Sequence, residues 1–273
     1  MSKTLSHSRL ALLFNEKKPG PWKRILAKVI FFFLCIGLWQ IIYMMKVMPP
    51  YLLPGPADVV AKFIELGRSG KLAQSIGLSM RRMFMGYGIS VIGGVTIGVL
   101  AARSWIFKET VGSLILSLQS LPSICWLPLA LIWFGLGEGA ILAVLILGAL
   151  FSIAVATEGA IRNVPPIYLK VGRVMGAKGY VFAKDILFFA ALPELIGGLK
   201  LGWTFAWRSL MAAELIRQDV FGVGRLLETG RSLNDVALML AAIISILAIG
   251  LTVDTLVFGT LEKKIRTRYG LDR

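Results

Sequence analysis

The side chains of this chain that could do chemistry are few, and they sit in apolar surroundings. One polar and aromatic group is Gln119, Ser120, Ser123 and Trp126; a second is Trp203, Thr204, Trp207, Arg208 and Ser209. Arg208 is the sharpest of them. An arginine inside a hydrophobic run is costly unless it meets water or a partner. It therefore either helps an anion across, pairs with a carboxylate such as Glu214, or reaches outward to a polar boundary. Lys200 is expected to snorkel to the cytoplasmic surface, and Asp254 is the one acid inside the last apolar run. Material for a reaction is lacking. The 1 histidine, His7, lies in the N-terminal tail, and GxxxxGK(S/T), HExxH and GxSxG are all missing. Cys35 and Cys125 are far apart without a CxxC pattern, so neither a metal site nor a disulfide is expected. This set suits a conduit driven by another subunit better than an enzyme.

The elements that must hold these side chains are membrane spans. The chain has 273 residues, is 56% hydrophobic and has a mean hydropathy of +0.76, well above the apolar share of roughly 45–50% in soluble domains. Six runs approach the ~20 residues needed to cross hydrocarbon: 27–47, 83–102, 113–134, 140–160, 193–213 and 235–259. Pro122 and Pro128 interrupt the third, and Pro193 starts the fifth. Lys17, Lys18, Lys23, Arg24 and Lys28 flank the first run, and Lys263, Lys264, Arg266 and Arg268 follow the last. The positive-inside rule then places both termini in the cytoplasm, which an even number of spans satisfies. The net charge of +15 is explained by topology and anionic lipid, so nucleic acid is not an expected partner. The N-terminus does not read as a cleavable signal, since more than about twenty residues precede its apolar core.

Three smaller features follow. Pro49 to Pro56 is a stiff extended stretch. After it, Asp58 is placed to cap an amphipathic helix carrying Val59, Val60, Phe63, Ile64 and Leu66 on one side, at the outer interface. Gly94 with Gly98, and Gly198 with Gly202, form GxxxG pairs that suit close helix packing, within one subunit more readily than between two. Between the fourth and fifth spans, residues 160–185 form a long loop bearing Arg162, Lys170, Arg173, Lys178 and Lys184, hence cytoplasmic and open to a soluble partner. Pro165 and Pro166 end the fourth helix, a short helix follows, and Gly176 and Gly179 turn the chain back. The domain reading is a cytoplasmic tail over 1–26, a transmembrane domain over 27–262 and a basic tail over 263–273.

From Tyr51 onward the chain resembles the permease subunits of bacterial ATP-binding-cassette importers, in the branch that handles nitrate, sulfonates, taurine and bicarbonate. The resemblance rests on ordered blocks: Leu53 to Pro56, Leu121 to Leu129, Ile132 to Glu138, Gly176-Ala177, Ala191 to Glu194, and Ala212 to Ile216. The family's loop signature is Glu-Ala-Ala, three residues, Gly, nine residues, then Ile-x-Leu-Pro. Here its glycine is Gly176 and its isoleucine Ile186. Lys170, Val171 and Gly172 stand at the Glu-Ala-Ala positions, a reversal of charge, and Phe188-Phe189 at Leu-Pro.

The resemblance implies an all-α integral membrane protein of the bacterial inner membrane, with the six-span type I importer permease fold and a cytoplasmic coupling helix. It implies that Lys170, Val171, Gly172, Val174, Met175, Gly176 and Ala177 engage the ATPase subunits. It also implies a path between two permease copies near mid-membrane, for which Gln119, Ser123, Trp126, Trp207 and Arg208 are the candidates. Partners would be two ATPases, a periplasmic binding protein, a second permease subunit (most simply an identical copy) and lipid. ATP and Mg would be bound by the ATPases, with no cofactor in this chain. The expected cargo is an aliphatic sulfonate or taurine, with nitrate, bicarbonate or another small organic solute as alternatives. An ion-driven carrier using Asp254, or a purely structural subunit, is the reading from another class.

Overall fold

In the computed structural model, residues 20–217 and 220–270 are described, so His7, Lys17 and Lys18 lie outside them. The chain divides into two units, Met1–Asp58 and Val59–Arg273.

The first unit contains α1, Pro21–Met44, whose proline at the first helical position needs no hydrogen-bonded N–H. None of its apolar stretch is buried, as suits a helix whose solvent is lipid. The chain beyond it folds back: the Trp39 indole N–H donates to the Pro54 carbonyl at 3.1 Å. Gly55 lies so close to the Tyr43 ring that a Cβ there would come within 3.1 Å of it.

Helix α2, Pro56–Arg68, starts earlier than expected. Asp58 sits inside its first turn and reaches back to accept the Gly55 N–H at 2.8 Å, which is the returning half of a capping box. Its apolar residues do not share one side. Val59 and Leu66 are buried, whereas Val60 and Ile64 are half exposed. Lys62 bridges to Glu65 at 2.8 Å and to Asp235 at 3.0 Å. Hydrogen bonds to Glu65 and Asp235 raise the Lys62 ammonium above its ordinary value. Burial pushes the Asp235 carboxyl up, but the Leu238 N–H and Lys62 outweigh it and leave the carboxyl below the usual range.

The second unit is a helical bundle. Its long helices are α3 (Lys71–Arg103), α6 (Glu138–Arg162), α8 (Gly179–Ile216) and α10 (Val236–Arg268). The remaining membrane run is a pair bent by 102°, α4 (Trp105–Gln119) and α5 (Ser123–Phe134). Counting that pair as one span gives six among the described residues. The short α7 (Pro166–Val174) and α9 (Val223–Ser232) lie at opposite ends of the bundle, α7 in the loop that follows α6 and α9 in the segment that follows α8.

Helix α6 is the axis of the core, with Ile141, Val144, Leu145, Ala149 and Ile153 fully buried. Both glycine pairs close on it. A Cβ on Gly94 would meet Ile153 at 2.8–2.9 Å, and one on Gly98 would meet the Ala154 carbonyl at 2.6 Å. From the other side Gly198 abuts Ala156 and Gly202 abuts Ile153. These small residues therefore seat α3 and α8 against α6 within one chain.

One expected interruption holds and one expected start is corrected. The third span is broken at Pro122, whose extended ψ of 128° the helix cannot pass through. The fifth does not begin at Pro193. That proline lies inside α8, which starts 14 residues earlier at Gly179. A proline lacks the N–H that would reach the carbonyl four residues back. Here that carbonyl, Phe189 O, accepts the Tyr269 hydroxyl at 2.8 Å instead, so the helix continues.

Candidate functional site

The break in the third span is fastened from both flanks. The turn before it tightens, with the Ser120 and Leu121 N–H groups donating three residues back to Ser117 and Leu118. On one flank, Gln119 Nε2 donates to Ser152 Oγ of α6 at 3.3 Å. On the other, the Ser123 and Ser209 hydroxyls lie 2.6 Å apart, and Ser209 Oγ also donates to the Phe205 carbonyl at 2.7 Å. Gly148 of α6 closes this junction: a Cβ there would stand 3.0 Å from Ser209 Cβ and 3.1 Å from Ser123 Cβ. Only glycine lets three helices meet so closely.

The bend opens a cavity of about 390 Å³ between α4, α5, α6 and α8. Gln119, Ser123, Trp126 and Arg208 line it together with the apolar walls of Phe151 and Phe205. The structure thus brings together four of the five side chains singled out along the path. Trp207 points elsewhere. It is 8% exposed and packs in the core, because one residue along α8 from Arg208 turns the side chain by about 100°. Arg208 itself is exposed to the cavity. Among the described residues no carboxylate pairs with it.

Glu214, its possible partner, is committed to a cluster that sequence reasoning missed. Its fully buried carboxylate accepts Arg82 Nη1 at 2.8 Å, the Ser79 hydroxyl at 2.8 and 2.9 Å, and the Gly224 N–H at 3.1 Å. Arg82 Nη1 also donates to the Phe221 carbonyl, and Arg82 Nη2 bridges to Glu138 at 3.2 Å. This cluster ties α3, α6 and α8 to the start of α9. A signal existed, since Glu138 and Glu214 each fall in a resemblance block, but their shared partner Arg82 lies in neither. The Lys200 ammonium pairs with Asp254 of α10 at 3.0 Å.

At the other end of the bundle, α7 begins at Pro166 and ends in a Schellman turn. The Ala177 N–H donates to the Gly172 carbonyl and the Gly176 N–H to the Arg173 carbonyl, both at 3.0 Å. Gly176 has φ +80°, a left-handed conformation that accounts for glycine at this position. Gly172 is buried against Ile186 and Phe182, where a Cβ would come within 2.9 Å of Ile186. That contact leaves Lys170, Val171, Val174 and Met175 exposed on the helix and its end, with Ala177 half-buried. Val174 is 88% and Met175 76% exposed. Two bare apolar side chains thus stand among cations at this end of the bundle.

A bundle of membrane helices with a polar cavity at a broken span, and a short amphipathic helix bare at one end, defines a membrane transport subunit. The chain belongs to the family of binding-protein-dependent transport system inner membrane components, whose profile matches residues 94–267. A Bacillus subtilis permease named for aliphatic sulfonates transport, SsuC, is 30% identical over 256 residues, covering 92% of this chain and 90% of that one. The Escherichia coli taurine transport system permease protein TauC is 26% identical over 220 residues, covering 78% and 80%. Among solved structures, an inward-facing form of the MetNI methionine ABC transporter aligns with a TM-score of 0.64 at 17% identity, covering 73% of this chain and 98% of that one. The fold is that of the type I ABC importer permeases.

Proposed function

We propose that this chain is the permease subunit of an ATP-driven importer, and that its path carries a small solute bearing an anionic group, such as an aliphatic sulfonate or the sulfonate of taurine. The observation that carries the cargo reading is Arg208: a permanent cation facing a cavity, beside hydroxyl and amide groups, with no carboxylate in the lining among the described residues. Apolar walls beside it suit a short organic tail. The names of SsuC and TauC support the same chemistry.

In this reading α7 lies in the cytoplasm with both termini, and its bare face seats an ATPase subunit. Two copies of the chain enclose the path, and a periplasmic binding protein delivers cargo at the α9 end. ATP and Mg bind in the ATPases, whose closure draws the two α7 helices together and turns the path outward. Hydrolysis returns it. The Lys200–Asp254 pair gives Asp254 a fixed counter-ion, so that residue does not favour an ion-driven carrier.

The test is ATP-driven uptake of labelled taurine and ethanesulfonate into liposomes holding the assembled transporter. Loss of a charged hydrogen-bond partner is worth about 1.5–3 kcal/mol. Arg208→Gln should therefore lower uptake at least about tenfold, with Arg208→Lys recovering part of it. Wild-type uptake by Arg208→Gln would refute the anion role.

A further inference from the structure

A second cationic cavity, of about 500 Å³, lies beside α9 at the end opposite α7. One wall is the first turns of α3, with Lys71, Gln74 and Ser75; the other is Phe221, Arg225 and Thr229. Three observations mark it as unfinished. Arg225 Nη1 is shielded from solvent and has no hydrogen-bond partner among the described residues, although a guanidinium is always charged and always a donor. The nearby acid, Glu228, is already taken by a two-bond pairing with Arg231 at 2.6 and 2.8 Å. Ser75 is 5% exposed, and its hydroxyl has no hydrogen bond among the described residues. Lys71 also lacks an ion-pair partner among them.

The walls are fixed, not adaptable. The Val223 N–H donates to Ser79 Oγ at 3.0 Å and the Gly224 N–H to Glu214. Gly222, in the cavity lining, packs directly on the Glu214 carboxylate. The buried acid cluster thus holds Arg225 opposite Lys71 and consumes the amides that begin α9. A buried donor without an acceptor costs about 1–3 kcal/mol, more for a charged group, and a ligand with several acceptor oxygens removes that cost. The start of α3, a 33-residue helix, adds positive potential from its free N–H groups.

The geometry points to a capture site for a small oxyanion in this cavity, bound by Arg225, Lys71 and the Ser75 hydroxyl. It is separate from the Arg208 cavity. Glu214 stands between the two, six residues beyond Arg208 on α8, or about 9 Å. A sulfonate or carboxylate monoanion fits the donor set; resting on the proposed function, the occupant is cargo released by the binding protein at this end, on its way to the span, not a side chain of that protein.

The probe is trifluoromethanesulfonate, followed by ¹⁹F saturation transfer on the full chain in uncharged lipid nanodiscs without binding protein. Arg225→Gln with Lys71→Gln should weaken binding at least about tenfold, since two charged contacts are lost. Arg225→Lys should keep most of it, which also controls for folding. Arg208→Gln should leave this component intact. Equal binding by wild type and the Arg225→Gln, Lys71→Gln variant would overturn the site. So would displacement of the probe by chloride as readily as by methanesulfonate, which would mark a merely basic surface. Loss in Arg208→Gln alone would overturn this site while leaving the proposed function standing.

Discussion

A carboxyl group with no exposed surface in a membrane helix must find its donors inside the protein, and Glu214 has three: the Ser79 hydroxyl, the Arg82 guanidinium and the Gly224 N–H. Removing one member of a buried pair leaves the other uncompensated, at about 3–5 kcal/mol. Glu214→Gln keeps the shape and leaves Arg82 with only the part-exposed Glu138 as counter-ion, so its thermal unfolding midpoint in detergent should fall sharply. Adding Arg82→Gln should recover part of the loss, because the two changes are coupled. An unchanged midpoint in Glu214→Gln would mean that charge does not fasten α9. The pairing was illegible in sequence, since 132 residues separate Arg82 from Glu214 and no local period links them. Arg208 was legible for the opposite reason. A lone cation in an apolar run announces itself, whatever it faces.

At the scale of elements, apolar length found the spans, and proline marked one break correctly while misplacing one start. In the third, Pro122 bends the chain by 102°. In the fifth, Pro193 leaves the helix intact, because Tyr269 supplies the hydrogen bond that proline cannot. The difference depends on a residue 80 positions from its acceptor, beyond the reach of propensity. Tyr269→Phe removes only that hydroxyl. Leaving the Phe189 carbonyl unmade should cost about 1 kcal/mol and loosen the first turns of α8. Hydrogen exchange should read this as faster amide exchange over residues 182–193, with α3 and α6 unchanged. Identical exchange in both proteins would show that water or lipid already serves that carbonyl. The glycine pairs gave the better guide. Their spacing suggested close packing, and the structure closes both on α6.

The whole molecule separates two jobs by place. The cavity with Arg208 lies between α4, α5, α6 and α8, whereas α7 sits at the bundle's end, seated through Leu169 on the Ala160, Val164 and Ala191 cluster and through Gly172 on Ile186 and Phe182. Such an arrangement lets a force applied at α7 reach α8 directly, because the residues under Gly172 belong to the first turns of that helix. It also makes the docking face separable from folding. Val174 and Met175 are 88% and 76% exposed, so placing aspartate at both positions removes no buried contact. Exposed substitutions of this kind stay within about 0.5 kcal/mol. The double variant Val174→Asp, Met175→Asp should therefore unfold at the wild-type temperature when purified alone. Co-expressed with its ATPase, it should lose the complex in detergent, along with any cargo-stimulated ATP turnover. A variant that kept the ATPase bound would place the contact elsewhere on the loop. One that unfolded early would show that these side chains pack against this chain. Either result would separate α7 from the role that its bare surface and its direct seat on α8 assign to it.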